Sequence, residues 1–298
     1  SACGYEIVGV VTMPDKMINK RGNQLLMSPV KQYAVEQGLP VLQPESLKDE
    51  AFQNELRSLR ADLQIVVAFR MLPESVWNMP RLGTFNLHAS LLPQYRGAAP
   101  INWAIINGDK ETGVTTFFLK HEIDTGDVIY RDVVAIDEND NAGTLHDKLM
   151  LQGGETVLRT VEAIVGGTVE AVAQDEMYVG ELRPAPKIFR ETCRIDWSGG
   201  VDGVYDFVRG MSPYPAAWCE LVNANGDVVA LKVYAVSKEY AQHGKAAGAI
   251  VTDNKSYIKV AVESGYVSLD EVQLAGKKRM PVADLLRGFS IDGLTLVL

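Results

Sequence analysis

The first 182 residues of this 298-residue chain predict an α/β domain with a mostly parallel sheet, and residues 183–298 predict a small β-barrel or sandwich. Three observations carry the prediction. In the first part, apolar strand-like runs alternate with amphipathic helical stretches punctuated by Gly and Pro. One of those runs, 62–69, is continuously apolar, as a doubly covered parallel strand is. From Ala217 onward the texture changes to short runs separated by turns such as Asn225-Gly226-Asp227. The length agrees with a prior of about two domains, and Pro184 and Pro186 mark the passage between them.

Taken in order, 6–12 reads as a buried strand ended by Pro14-Asp15, and 16–27 as a long polar loop. Ser28-Pro29 opens a helix, with Ser28 as cap and Pro29 in the first turn. Val41-Leu42 is a short strand, 49–60 a helix and 62–69 a strand. Residues 84–88 form another apolar run, after which Pro100 starts a helix over 98–106. Strands follow at 114–119 and 128–136, joined by a Gly-containing turn, and then two helices at 145–152 and 155–165. In the second part, Val201, Val204, Tyr205 and Val208 share one face of a helix ahead of the barrel-like strands.

The net charge of −9 argues against wholesale polyanion binding. The acidic excess lies in residues 1–182, whereas 183–298 is nearly balanced and carries basic groups at Arg183, Lys187, Arg190 and Arg194 and at Lys277-Lys278-Arg279. Three scattered cysteines, Cys3, Cys193 and Cys219, suit reduced thiols and a cytoplasmic protein. No apolar run is long enough to span a membrane, so no membrane partner is expected. The opening Ser1-Ala2-Cys3-Gly4 lacks a secretory signal, and a strand follows almost at once, so the expectation is that the chain begins inside a domain.

Chemistry concentrates at 84–100. On a strand Asn86 and His88 point to one face and Phe85 and Leu87 to the other, and ligands of open α/β sheets collect at the carboxyl ends of strands. An imidazole takes a proton from an attacking amine, a carboxamide donates to a developing oxyanion, and a carboxylate orients the imidazole. Asp124, in the turn after the next strand, is the candidate carboxylate. No nucleophile elbow is present, which favours direct attack by an amine over a covalent enzyme intermediate. His121 and Glu122 lack metal-ligand spacing, so no metal is expected.

Asn86-Leu87-His88, Ser90-Leu91-Leu92-Pro93, Tyr95-Arg96-Gly97-Ala98-Ala99-Pro100, Thr112-Gly113-Val114-Thr115 and Asp124-Thr125-Gly126-Asp127 together resemble the tetrahydrofolate-dependent formyltransferases. Ile195-Asp196-Trp197 and Ser212-Pro213-Tyr214-Pro215 extend the likeness along the chain, toward the branch that acts on methionyl-tRNA. The resemblance implies a Rossmann-like catalytic domain over 1–182 and, over 183–298, a linker with an OB-like tRNA-binding domain. It implies Asn86, His88 and Asp124 as the catalytic trio. It implies that Ser90, Leu91, Leu92 and Pro93 meet the folate, with Phe69, Arg70 and Leu72 lining the pterin pocket. For the tRNA it implies Lys20 and Arg21, with Lys187, Lys277, Lys278 and Arg279 from the basic groups. The reaction implied is formyl transfer from 10-formyltetrahydrofolate to the α-amino group of methionyl-initiator tRNA by a monomer, leaving tetrahydrofolate. The family's first strand and its Gly-Thr-Pro turn have no counterpart before Glu6, so the sheet is expected to be short by one strand. A sugar-nucleotide N-formyltransferase and a non-catalytic RNA-binding relative remain as alternatives.

Overall fold

Helix starts are where the local chemistry is plainest. In the computed structural model, which describes residues 4–18, 24–68 and 71–297, the helix Pro29–Glu36 begins where Ser28 Oγ accepts from Lys31 N at 3.2 Å. Asp49 caps Glu50–Ser58 in the same way, and Pro100 opens Pro100–Ile106 from its first turn. These local signals act as the sequence predicts.

Four strands form the sheet that carries the site. Gln64–Val67 pairs in parallel with Thr84–His88, and Glu111–Phe118 and Val128–Ala135 then add on antiparallel. The last pair is antiparallel because only residues 119–127 join its strands, fewer than the dozen or so that a parallel crossover needs. Val10–Val11 and Val41–Leu42 make a separate parallel pair. Gln64–Val67 is therefore an edge strand, and its Ile65 and Val67 are 46% and 55% exposed. That corrects the doubly covered strand expected at 62–69: the apolar residues are there, but one face is not covered. The strand expected over 6–12 is confined to Val10–Val11, and the long loop expected at 16–27 contains a hairpin, Lys16–Ile18 against Gln24–Leu26.

One helix, Ala142–Gly166, covers the back of this sheet in place of the two expected. Asn141 starts it with a capping box: its Oδ1 accepts from Gly143 N and Thr144 N, and Thr144 Oγ1 accepts from Asn141 N. Gly153-Gly154 suggested a break, yet a Cβ at Gly153 would lie 2.7 Å from Leu87 Cδ2. The glycine is there for a close approach of helix to strand. Phe85 packs with Val161 and Ile164, and Leu87 with Leu145 and Leu149, so the apolar face of Thr84–His88 is fully used by this helix. Asn86 and His88 are left to the opposite face.

The C-terminal part is an antiparallel sheet in the order Ile250–Thr252, Ile258–Val262, Gly265–Leu274, Val228–Tyr240, Ala217–Val222 and Thr295–Leu296, with Met280–Pro281 on Gly265–Leu274. The long strands Val228–Tyr240 and Gly265–Leu274 pair with irregular register near Ala235, where the sheet bends. The helix Val201–Met211 plugs it through Val201, Val204, Val208 and Met211, in a core that includes Trp197. Cys193 and Cys219 are free and buried there, and burial pushes the Cys219 thiol up to about 12. The same helix touches the first part: Asn102 Nδ2 donates to Gly210 O at 2.7 Å, and a Cβ at Gly210 would lie 2.6 Å from Ile106 Cγ1.

Among the described residues no helix is long and apolar enough to cross a membrane, and no cluster of three or more His, Cys, Asp or Glu is placed to hold a metal ion.

Candidate active site

The site is built from the end of one strand and two loops. His88 is buried, and its Nε2 lies 2.9 Å from Tyr95 O. A carbonyl only accepts, so Nε2 carries a proton and Nδ1 is the nitrogen whose proton can come and go. Nδ1 lies 3.9 Å from Asp124 Oδ2, too long for a hydrogen bond and close enough for an ion pair once the ring is charged. Asp124 is itself held: its Oδ2 accepts from Gly97 N at 3.1 Å. Its backbone adopts φ +56°, a left-handed conformation uncommon for non-glycine residues and one that Asp takes more readily than most.

Asn86 stands on the same strand face, two residues before His88. Its Oδ1 is sealed from solvent and has no hydrogen-bond partner among the described residues. A buried unpaired carboxamide oxygen costs about 1–3 kcal/mol. The amide's Nδ2 is not sealed in this way and makes no hydrogen bond among the described residues, so it is the end of the side chain free to donate to an oxyanion.

The loop 90–97 is held from behind. Thr115 Oγ1 donates to Ser90 O at 2.6 Å and accepts from Leu92 N at 3.1 Å, Ser90 Oγ donates to Gln94 O, and Arg131 Nη1 donates to Leu92 O. Leu92 packs against Phe117 and Val128. The side chains of Ser90, Leu92 and Pro93, expected to meet the folate, are buried in the protein. What this loop presents is the half-exposed Leu91 and its backbone. That Ser90 meets the folate is an expectation from the family resemblance alone. Only the tertiary structure shows it bonded to its own loop.

Residues 183–185 run alongside. Tyr95 N donates to Arg183 O at 2.7 Å, and Ala98 N to Ala185 O at 2.8 Å. A Cβ at Gly97 would fall 2.4 Å from Ala185 O, and φ there is +129°, so glycine is required. Tyr95 OH donates to Asp109 Oδ2 at 2.6 Å, and burial together with that carboxylate pushes the phenol above its ordinary range. A cavity of about 300 Å³ opens beside Tyr95, lined by Gln94, Asp109, Tyr178, Glu181 and Arg183; Asn86, His88 and Asp124 are not among its lining residues.

Two residues that sequence reasoning missed join the loops. Gln174, 2% exposed, accepts from Arg96 Nε and Nη2 and donates to Asp124 O and Gly126 O. No local pattern marks Gln174, because its partners lie about fifty residues or more away in sequence.

The other predicted positions are scattered. Leu72 packs half-buried against the cluster of Leu42, Leu47, Phe52 and Leu56. Lys187 is exposed, 5.4 Å from the Phe189 ring, and Lys277 and Lys278 are exposed before Met280–Pro281. Arg279 is committed to Glu271 at 2.5 Å, which holds the guanidinium above its ordinary range, and lies over Tyr234. Lys20, Arg21, Phe69 and Arg70 lie outside the described residues.

An amide, an imidazole and a carboxylate grouped at a strand end, with no nucleophile among them, define a site for transfer of an acyl-type group to an incoming amine or hydroxyl. Residues 1–161 match the family described as formyl transferase, and residues 187–290 match formyl transferase, C-terminal domain. The chain belongs to the formyltransferase family. Within it, the chain is 64% identical over 290 residues to the methionyl-tRNA formyltransferase of Bacteroides thetaiotaomicron, covering 97% of this chain and 90% of that one. It is 62% identical over 288 residues to the methionyl-tRNA formyltransferase of Parabacteroides distasonis, covering 96% and 89%. Among solved structures, HypX from Aquifex aeolicus in complex with tetrahydrofolic acid superposes with a TM-score of 0.62 at 21% identity, over 88% of this chain and 44% of that one, a likeness of fold.

Proposed function

We propose that this protein transfers a formyl group from 10-formyltetrahydrofolate to the α-amino group of methionyl-initiator tRNA. The observation that carries the chemistry is Asn86, whose Nδ2 is left without an acceptor among the described residues, beside a buried His88 whose Nδ1 faces Asp124. The high identity to methionyl-tRNA formyltransferases over nearly the full chain favours tRNA as acceptor.

The folate donor supplies the formyl carbon. Leu91 and the backbone of 90–93 are the part of the loop free to hold it, with Phe69, Arg70 and Leu72 as further candidates. Asn86 presents its amide to the oxygen on which charge develops. As the amine attacks the formyl carbon, His88 takes its proton at Nδ1, and as the bond from that carbon to N10 of the folate breaks the proton passes to N10, releasing tetrahydrofolate, while Nε2 stays bonded to Tyr95 O. Asp124 faces that proton and stabilises the charged ring. The catalytic unit spans 1–182, and residues 183–298 hold the tRNA through Lys187, Lys277 and Lys278, with Arg279 contributing from its pair with Glu271. Lys20 and Arg21 reach the same substrate from the first unit. The protein acts as a cytoplasmic monomer without a metal.

The deciding experiment supplies 10-formyltetrahydrofolate with either methionyl-tRNA or an aminosugar nucleotide. Formyl-methionyl-tRNA is expected. Formylation of the sugar alone overturns the acceptor, and formylation of neither leaves an RNA-binding relative.

A further inference from the structure

Gln174 is the point at which the two loops of the site meet. Val128 and Val172 exchange backbone hydrogen bonds at 2.8 and 2.9 Å, which carries the chain after the long helix back beneath the turn 119–127. Gln174 follows directly and is buried there. Its Oε1 accepts from Arg96 Nε at 2.9 Å and Nη2 at 2.6 Å, which fixes which end of the amide faces which loop. Its Nε2 donates to Asp124 O and Gly126 O, both at 2.8 Å. Two donors and two acceptor positions are thereby used, and nothing is left over for a substrate.

We infer that Gln174 is a positioning residue for the transfer reaction: through Arg96 it ties the loop that holds His88 to the turn that holds Asp124, and so sets their separation. The inference rests on the functional reading above. Arg96 adjoins Tyr95, whose carbonyl fixes His88 Nε2, and Gly97, whose N–H fixes Asp124 Oδ2. The turn is anchored elsewhere by Thr125 Oγ1 donating to Glu122 O and Phe118 N donating to Asp127 O, whereas the carbonyls of Asp124 and Gly126 take their hydrogen bonds from Gln174. Without the amide, both carbonyls lose their donor and the carboxylate is free to drift from the imidazole.

The test compares the unsubstituted chain with Gln174→Leu, Gln174→Glu and Thr160→Val. The last removes a buried hydroxyl bonded to Thr116 Oγ1 and Thr156 O, away from the site. Single-turnover formylation of methionyl-tRNA, KM for the tRNA and thermal melting are measured for each. Both Gln174 variants are expected to lose about 10²-fold in rate with KM and a cooperative melt retained, as misplacement of a catalytic group does. Thr160→Val is expected to lower the melting temperature and leave the rate alone. Gln174→Glu keeps the acceptor for Arg96 and removes the donor to the turn, so a full rate in that variant overturns the inference. So does a loss that appears in KM, or one that Thr160→Val reproduces. If Gln174→Leu does not melt cooperatively, Gln174→Glu decides. Amide hydrogen exchange gives a readout independent of turnover: the Gly97 N–H is expected to exchange faster in the Gln174 variants, and unchanged protection overturns the inference. An unsubstituted chain that formylates nothing refutes the function and leaves the exchange result to judge Gln174.

Discussion

The two halves of the molecule spend their interiors differently. The C-terminal half has a single continuous apolar core around Trp197, Val208, Met211 and the barrel strands, whereas the N-terminal half divides its core into separate clusters. Among the described residues, all but two of the buried polar or charged side chains, Arg209 and Ser212, lie before residue 183. Threonines, Ser90, His88 and Gln174 occupy positions that leucine or valine fill in the barrel. Buried polar groups need partners and interrupt apolar packing, so the first half gives up core continuity to hold side chains in defined places. The second half carries fewer such groups: among the described residues they are Arg209, Ser212 and the indole N–H of Trp197, which has no hydrogen-bond partner there.

Three substitutions probe that contrast. Trp197→Ala is expected to destabilise the barrel by about 3–5 kcal/mol in denaturant unfolding while turnover per folded molecule holds, because Trp197 is 1% exposed and touches no site residue. A large fall in specific activity with little loss of stability reverses the division of labour. Asn86→Ala is expected to behave oppositely, with single-turnover formylation falling by about 10²–10³ and unfolding free energy unchanged or raised, since an orphaned oxygen is removed. An unchanged rate removes Asn86 from the chemistry. The smallest effect is expected for Thr115→Val, which strips the hydroxyl from Ser90 O and Leu92 N and costs about 1–3 kcal/mol of stability. Its folate KM rises if the backbone of 90–93 holds the donor, and a KM that stays put argues that the donor binds elsewhere.

Which parts were legible follows from how far apart the interacting residues lie. Helix starts at Ser28-Pro29, Asp49 and Pro100 depend on neighbours within a turn, and they stand where they were expected. The Gly153-Gly154 pair misled because glycine disfavours a helix only when nothing else decides, and here Leu87 requires the missing Cβ. That the Ser90 hydroxyl donates to Gln94 O is not legible locally either, because this partner is reached only after the loop has folded back.

The sequence by itself determined that Asn86 and His88 share one face of a strand and that Phe85 and Leu87 share the other, because the alternation of side chains is a local property of extended backbone. It also determined the change from α/β to barrel texture, since periodicity is read over a few residues. Only the tertiary structure decided that His88 bonds to Tyr95 O, that its other nitrogen faces Asp124, and that Gln174 and Arg96 hold the two loops together. Those choices depend on packing between segments far apart in the chain, and no local preference encodes a separation of 3.9 Å.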